Sequence, residues 1–259
     1  MLDAILDSKR REVHDLRTRY TIGQFADRLA SAPPSRSLSS AIRTQTPMAV
    51  IAEIKRRSPS KGLLNAALDP TKLALAYETA GAAGISVLTD AHYFSGTVDD
   101  LTAARTATTL PILRKDFIVD EIQLYESRAI GADAVLLIVA ALDRKELASL
   151  HSRAIELGLE PLVEVHSEEE AHRALEIGAA MIGINNRDLR TFDVSLDTTF
   201  RIRPLLPGNV TVISESGIRN SGDVERLRTI DVHAVLVGEH LVTSADPSSQ
   251  LRELTGRGR

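Results

Sequence analysis

The chain carries a series of short apolar runs, each of which ends in a charged or amide side chain and is followed by a loop and a helical pattern. The residues at or near these ends are Glu53, Lys55, Lys115, Glu164, Asn185 and Glu215. Strands that alternate with helices form a parallel sheet, and a barrel built from them has its active site at the carboxyl ends of the strands. We therefore expect these side chains to form a catalytic ring.

About eight strands are indicated by this pattern, at residues 48–54, 85–88, 112–113, 134–139, 161–165, 181–184, 210–213 and 234–237. A closed (β/α)8 barrel, the TIM barrel, has eight strands and about 250 residues, and this chain has 259. An open flavodoxin-like sheet needs fewer strands and would leave part of the chain unused. The sequence thus predicts an α/β fold in which residues 1–259 form a single TIM-barrel domain.

Helix signals support this alternation of strands and helices. Residue types that cap helix N-termini precede five helical patterns: Asp69, Asp120, Asp143, Ser167 (with Glu170 three residues later) and Asn220. Glycines follow three others, where a left-handed residue closes a helix: Gly81, Gly131 and Gly178.

The first part of the chain has a different pattern. The pattern predicts helix over residues 1–31, with an apolar stripe that includes Ile5 and Val13 and continues at Phe25 after Thr21. Pro33 and Pro34 then break the pattern. We predict an N-terminal helical extension, residues 1–45, packed on the barrel.

Composition argues against several classes of partner. Lys and Arg number 31 against 35 Asp and Glu, giving a net charge of −4, which offers no basic field for nucleic acid or an anionic membrane. Without cysteine there is no disulfide or thiolate metal site. The N-terminus lacks the long apolar core of a signal peptide, and no apolar run approaches membrane-spanning length. We expect a cytoplasmic protein.

Two lysines and two glutamates have acid–base potential. Glu53 and Lys55 are two residues apart, so strand alternation places them on one face, where they would pair inside the barrel; a surface ion pair is the alternative. Lys115, with Arg114 and Phe117 nearby, is in a setting that can lower a lysine pKa enough for proton donation or Schiff-base chemistry. Glu164 is flanked by valines, which indicates a buried position. Because burial of an unpaired carboxylate is costly, a functional role is favoured over a structural one.

The loops after the strands supply groups suited to an anion. Residues 56–62 are rich in cations and hydroxyls, and Gly217 and Gly238 would let backbone N–H groups approach a phosphate beside the last two strands. His166 and His172 lack metal-ligand spacing, so capping or surface roles are favoured. Walker, dinucleotide and serine-elbow motifs are absent. We expect no metal and no cofactor.

Five motifs together closely resemble indole-3-glycerol phosphate synthase, in order and over nearly the whole chain. They are EIK at 53–55 with SPSKG at 58–62, LRKDF at 113–117, LVEV at 162–165, INNRDL at 184–189 and SESGI at 214–218. Members of that family act in tryptophan biosynthesis. They convert 1-(2-carboxyphenylamino)-1-deoxyribulose 5-phosphate into indole-3-glycerol phosphate with loss of carbon dioxide and water.

The resemblance implies catalytic roles. Lys115 would be the general acid that protonates the ribulose carbonyl oxygen, and Lys55 would hold the anthranilate carboxylate. Glu164 would be the base or electrostatic partner in dehydration, with Glu53 and Glu215 organising the lysines and substrate hydroxyls. Which lysine is the acid in each step stays open.

The resemblance also implies binding roles. Asn185 and Ser216 would bind substrate, and Arg187 would brace the carboxylates. The residues expected to wall the aromatic ring are Phe94, Phe117 and Leu136. Those expected at the phosphate are Ser58, Gly217, Gly238 and Glu239, the last through its backbone with its side chain pointing away.

Other functional interpretations of the same pattern remain open. A Schiff-base aldolase or a sugar-phosphate isomerase could use the same barrel, because the fold alone does not define the reaction. A catalytically silent barrel that binds phosphorylated ligands is the non-enzymatic alternative. In each case the partner is a small phosphorylated molecule, and a monomer or weak homo-oligomer is expected.

Overall fold

The computed structural model describes residues 1–188 and 191–256, and its centre is a closed barrel of eight parallel strands. The strands are β1 (Ala49–Ile54), β2 (Gly84–Leu88), β3 (Ile112–Lys115), β4 (Ala134–Ile138), β5 (Glu160–Val165), β6 (Met181–Asn185), β7 (Thr211–Glu215) and β8 (Ala234–Val237). Each strand pairs with its neighbours in the chain, and β1 pairs with β8. The predicted (β/α)8 barrel is confirmed.

Some strand ends differ from the sequence prediction. β3 continues to Lys115 and β7 to Glu215, two residues beyond the predicted ends. Period-two alternation therefore holds these two side chains on the inner face of the sheet, as part of a strand and not of a loop. β4 ends at Ile138 because Val139–Ala141 forms a 3-10 turn.

Helices surround the barrel and cover the outer faces of the strands. They are α1 (Leu2–Arg19), α2 (Ile22–Leu29), α3 (Leu38–Thr44), α4 (Pro70–Ala80), α5 (Ala91–Phe94), α6 (Val98–Ala107), α7 (Glu121–Ala129), α8 (Arg144–Glu156), α9 (Glu168–Glu176), α10 (Asp197–Ile202), α11 (Ser221–Arg228), α12 (Glu239–Val242) and α13 (Pro247–Leu254). No helix within the described ranges is long and apolar enough to cross a lipid bilayer.

The predicted helix ends are confirmed. The side chains of the five predicted N-cap residues each accept a hydrogen bond from a first-turn backbone N–H. Gly81, Gly131 and Gly178 have φ values of +90°, +92° and +73°. One detail differs: the Glu170 carboxylate accepts a 2.7 Å bond from the N–H of His166, one residue before the Ser167 cap.

The N-terminal extension contacts both ends of the barrel. It forms two helices before the proline break, separated by a capping box at Thr21, and then α3. α3 closes the amino end, where Leu38 and Ile42 join the interior core cluster and the N–H of Ser39 donates to Glu160, the first residue of β5.

At the carboxyl end of the barrel, α1 contributes Lys9, whose side chain is only 3% exposed. Its ammonium lies 2.8 Å from Asp116 and 3.0 Å from Asp90. Asp116 directly follows Lys115 at the end of β3. The first helix is thus held by a buried ion pair immediately beside a candidate catalytic residue.

Candidate active site

A cavity of about 590 Å³ opens at the carboxyl ends of the strands. It is lined by every residue that was predicted from the sequence to be catalytic or to bind substrate or phosphate. They are Glu53, Lys55, Ser58, Phe94, Lys115, Phe117, Leu136, Glu164, Asn185, Arg187, Glu215, Ser216, Gly217, Gly238 and Glu239. Leu189, the last residue of one motif, lies outside the described residues.

Strand alternation explains why the glutamates face this cavity. Val163 and Val165 pack in the core between the strands and the outer helices. Glu164 between them therefore points into the barrel, where the residue two before it, Leu162, belongs to the interior core. The same periodicity places Glu53 above Ile51 and Glu215 above Ile213.

Lys115 lies at the centre of the charged groups. Its Nζ is 3.2 Å from Glu164 Oε2 and 3.4 Å from Glu215 Oε2. A second pair, Lys55 with Glu53, lines the same cavity, and the predicted pairing of these two residues is confirmed. These five side chains together present two ammonium groups and three buried carboxyl groups to the cavity.

The sequence-based expectation that the pKa of Lys115 is lowered is wrong. Burial does act to lower it, but the negative charges of Glu164, Glu215 and Glu53 outweigh burial, and the pKa is raised. The neighbouring Arg114 does not oppose this effect inside the cavity, because alternation turns it outward to Asp116 and Glu126. Lys115 is therefore protonated at neutral pH and can donate a proton.

Glu164 and Glu215 have different environments although they share Lys115. Burial, reinforced by the negative charges of Glu164 and Glu53, raises the pKa of Glu215 to about 8 despite the attraction of Lys115. Burial also disfavours ionisation of Glu164, but Lys115, His166 and a hydrogen bond from Asn185 together lower its pKa. Glu164 is therefore the more acidic of the two carboxyl groups and Glu215 the less acidic, which favours Glu164 as a base.

Two glycines provide the space for two of the carboxylates. A Cβ built on Gly183 of β6 would overlap Oε1 of Glu215, and one built on Gly238 would overlap Oε1 of Glu53. From the sequence, Gly238 was predicted only as a phosphate residue, and no role was predicted for Gly183. The structure gives both a packing reason: the carboxylates occupy the volume that a larger residue would fill.

Apolar side chains form one wall of the cavity. The ring centroids of Phe94 and Phe117 are 6.3 Å apart, and Leu136 lines the same cavity. Leu88, Ile138, Phe192 and Leu236 also line it and were missed. Leu88, Ile138 and Leu236 lie within strands, where an apolar residue is core by default, so no sequence signal separates them from the barrel interior.

Backbone at positive φ marks the mouth beside β7. Ser216 has φ +64° and Gly217 φ +83°. Gly238 follows β8 and precedes the short helix α12, in which the N–H groups of Leu241 and Val242 both donate to the backbone oxygen of Gly238. Arg219, which the sequence analysis missed, also lines the cavity here.

Three predicted residues have specific contacts near this mouth. Arg187 Nη1 donates to the backbone oxygen of Phe192 at 3.3 Å, while Asn185 Oδ1 accepts from the N–H of Arg187 at 3.1 Å. The half-exposed Glu239 carboxylate is 4.0 Å from the ammonium of Lys61, so it faces the loop after β1.

The surface role expected for His166 is wrong, and its contribution to the helix start is limited to its backbone N–H, which donates to Glu170 in the first turn of α9. Its side chain is only 12% exposed, with Nε2 3.4 Å from Glu164 Oε1 and Nδ1 3.2 Å from Glu170 Oε2. Its position two residues after Glu164, at the end of the same strand, was the available signal. His172 is exposed on α9, as expected.

Comparison with known sequences identifies close relatives. Residues 2–254 match the family model described as indole-3-glycerol phosphate synthase. A protein of that name from Mycolicibacterium smegmatis is 47% identical over 100% of this chain and 94% of its own length. Another from Roseiflexus castenholzii is 48% identical over 99% and 98%.

Comparison with solved structures shows the fold alone. 3-Hexulose-6-phosphate synthase from Salmonella typhimurium has a TM-score of 0.63 at 15% identity, covering 82% of this chain and 98% of its own. Thiamine phosphate pyrophosphorylase from Pyrococcus furiosus has a TM-score of 0.60 at 17% identity, covering 84% and 96%. The barrel is therefore shared with proteins whose names describe different reactions.

Proposed function

Since the chain belongs to the indole-3-glycerol phosphate synthase family, a family of carboxy-lyases in tryptophan biosynthesis, we propose that its strand-end lysines and glutamates convert 1-(2-carboxyphenylamino)-1-deoxyribulose 5-phosphate into indole-3-glycerol phosphate. The observation that carries the assignment of roles is the position of Lys115 in the cavity, with its Nζ 3.2 Å from Glu164 and 3.4 Å from Glu215. Lys55 and Glu53 supply a second acid–base pair in the same cavity.

Ring closure needs an acid at the ribulose carbonyl. The ring carbon that bears the carboxylate attacks the carbonyl carbon, and Lys115 protonates the oxygen as the new carbon–carbon bond forms. Lys55 holds the carboxylate, and the wall of Phe94, Phe117 and Leu136 orients the ring. Loss of carbon dioxide then returns the electrons of the broken bond to the ring and restores its aromaticity.

Dehydration needs an acid and a base together. A lysine ammonium gives a proton to the hydroxyl, which leaves as water, and a carboxylate removes a proton from the adjacent carbon so that the indole double bond forms. Glu164 is the base in this proposal, because it is the carboxylate that the surroundings keep ionised. Glu53 and Glu215 orient the lysines and the substrate hydroxyls.

The phosphate is assigned to the mouth beside the last two strands. Ser58, Gly217, Gly238 and the backbone of Glu239 bind it, with N–H groups at the start of α12 directed to the anion. Asn185 and Ser216 contact the substrate, and Arg187 braces this side of the cavity. We further propose that residues 1–259 act as one catalytic domain, as a cytoplasmic monomer or weak homo-oligomer.

The Schiff-base alternative is disfavoured by the raised pKa of Lys115, because the nucleophile of that chemistry is the neutral amine. Borohydride with a carbonyl substrate would trap a Schiff-base enzyme covalently on Lys115 or Lys55. The proposed mechanism forms no such adduct, so mass spectrometry of the treated protein should show the unmodified chain.

Formation of indole should be directly visible. Because the chain has 0 Trp, a new indole product should stand above the tyrosine fluorescence of the purified protein when 1-(2-carboxyphenylamino)-1-deoxyribulose 5-phosphate is added. Heat-denatured protein is the control. If calorimetry detects binding but no indole forms, the chain is a silent binder. If neither occurs, the substrate assignment is wrong.

Ser216→Ala should weaken binding more than turnover. The left-handed backbone at φ +64° brings this residue into the mouth of the cavity, and loss of one hydroxyl hydrogen bond costs about 1 kcal/mol. We expect KM to rise roughly fivefold, with kcat nearly unchanged. Ser221→Ala, at an exposed serine that begins α11, is the matched control. An unchanged KM for Ser216→Ala would contradict the proposed contact.

A further inference from the structure

His166 connects the proposed catalytic base to a second carboxylate outside the cavity lining. It directly follows β5, and its ring lies between Glu164 and Glu170 at 3.4 and 3.2 Å. Nε2 is fully buried and has no hydrogen-bond partner among the described residues, although it faces Glu164 Oε1. Glu170, in the first turn of α9, approaches from the other side.

The orientation of the ring is fixed by Glu170. The same carboxylate oxygen that is 3.2 Å from Nδ1 also accepts a 2.7 Å bond from the His166 backbone N–H. One glutamate therefore holds both the backbone and the ring of the histidine. Rotation of the ring away from Glu164 would break the side-chain contact to Glu170.

The two oxygens of Glu164 face two different cations. Oε2 faces Lys115, and Oε1 faces His166. Lys115 is also shared with Glu215, and in the proposed ring closure it gives its proton to the substrate. From that moment the buried Glu164 lacks the charge of Lys115, and an imidazolium at His166 is the cation that remains in contact with it.

We propose that His166, held by Glu170, is a positioning residue that keeps Glu164 ionised and oriented while Lys115 is deprotonated. This inference rests on the proposed role of Glu164 as the base. It assigns His166 no contact with substrate. In this arrangement the acid and base steps can follow one another at one site without Glu164 taking up a proton too early.

The charged surroundings favour the imidazolium. Burial acts to lower the pKa of His166, but Glu170, Glu164 and Glu215 outweigh it, and the pKa is raised. These carboxyl groups come from α9, β5 and β7, while Lys115 of β3 stands on the far side of Glu164. His166 thus stays cationic to a higher pH than an isolated histidine does.

His166→Asn is the primary test. It removes the charge but leaves the backbone N–H that donates to Glu170. We expect kcat to fall roughly tenfold with KM little changed, and the acid limb of the kcat–pH profile to move up by about one unit, because an opposite charge within 4–6 Å of a carboxylate contributes a shift of that size. His172→Asn, at an exposed histidine of α9, should behave as the parent.

Two further variants make the result decisive. Glu170→Gln keeps an oxygen for the backbone N–H but removes the charge that holds the imidazolium, so it should shift the profile in the same direction. If His166→Asn lowers only the melting temperature, or only raises KM, the histidine is structural and the inference is overturned. Glu164→Gln tests the proposed base separately from the inference about His166. Full activity in that variant would show that Glu164 is not the base.

Discussion

Replacement of Lys115 by alanine is expected to lower kcat by two to four orders of magnitude, the usual loss when a general acid is removed. KM should change little, because the phosphate and ring contacts lie elsewhere in the cavity. Steady-state measurement of indole formation gives both values. A melting curve should accompany it, because the substitution leaves Glu164 and Glu215 without their shared cation.

The matched substitution is Lys115→Arg. Arginine keeps a positive charge between the carboxylates but does not release a proton near neutral pH. If proton donation is the role of Lys115, the arginine variant should be nearly as slow as the alanine variant while folding more stably. Substantial activity in Lys115→Arg would mean that the charge alone suffices. Lys145→Ala, at an exposed lysine of α8, controls for a general effect of removing a lysine.

Much of the fold and the site could be predicted because strand periodicity acts over a few residues. Glu164 between two valines has only one way to point once Val163 and Val165 pack outward. The same reasoning placed Glu53 and Lys55 on one face. Strand ends then bring these side chains together because a parallel barrel collects all its carboxyl ends at one rim.

What could not be predicted depends on distances between elements that are far apart in sequence. The pKa of Lys115 was expected to fall because Arg114 and Phe117 are its sequence neighbours, but Arg114 faces outward and the carboxylates come from other strands. His166 and Lys9 have buried partners that no local pattern reveals. The sequence therefore identified the candidate catalytic groups, whereas their partners and the direction of their pKa shifts depend on the folded chain.

The glycines beside the carboxylates give the second large prediction. Gly183→Ala should displace the Glu215 carboxyl group, because the new Cβ would overlap its Oε1 and would also lie 3.3 Å from Leu162 Cδ1. Gly238→Ala should displace Glu53, because its Cβ would lie 3.0 Å from Glu53 Cβ and overlap Oε1. Neither glycine has a positive φ. Gly183 lies within β6, where alanine fits the backbone, whereas Gly238 has φ −124° and ψ −73°, outside the main α and β regions.

Each of these alanine variants should fold yet turn over roughly 100-fold more slowly, since a catalytic group misplaced by about 1 Å costs that much. At Gly183 the Glu215 side chain can rotate, so the overlap with Oε1 is relieved by moving the carboxyl group and not the strand. At Gly238 the approach to Glu53 Cβ also requires a backbone shift of a few tenths of an ångström. Gly208→Ala is the control, because an added Cβ there meets nothing within 4 Å. If Gly183→Ala and Gly238→Ala retain full kcat, the positions of Glu215 and Glu53 do not matter for the reaction, and their proposed roles fail. If kcat falls while the melting temperature is unchanged, the two glycines support catalysis by leaving space for the carboxyl groups of Glu215 and Glu53.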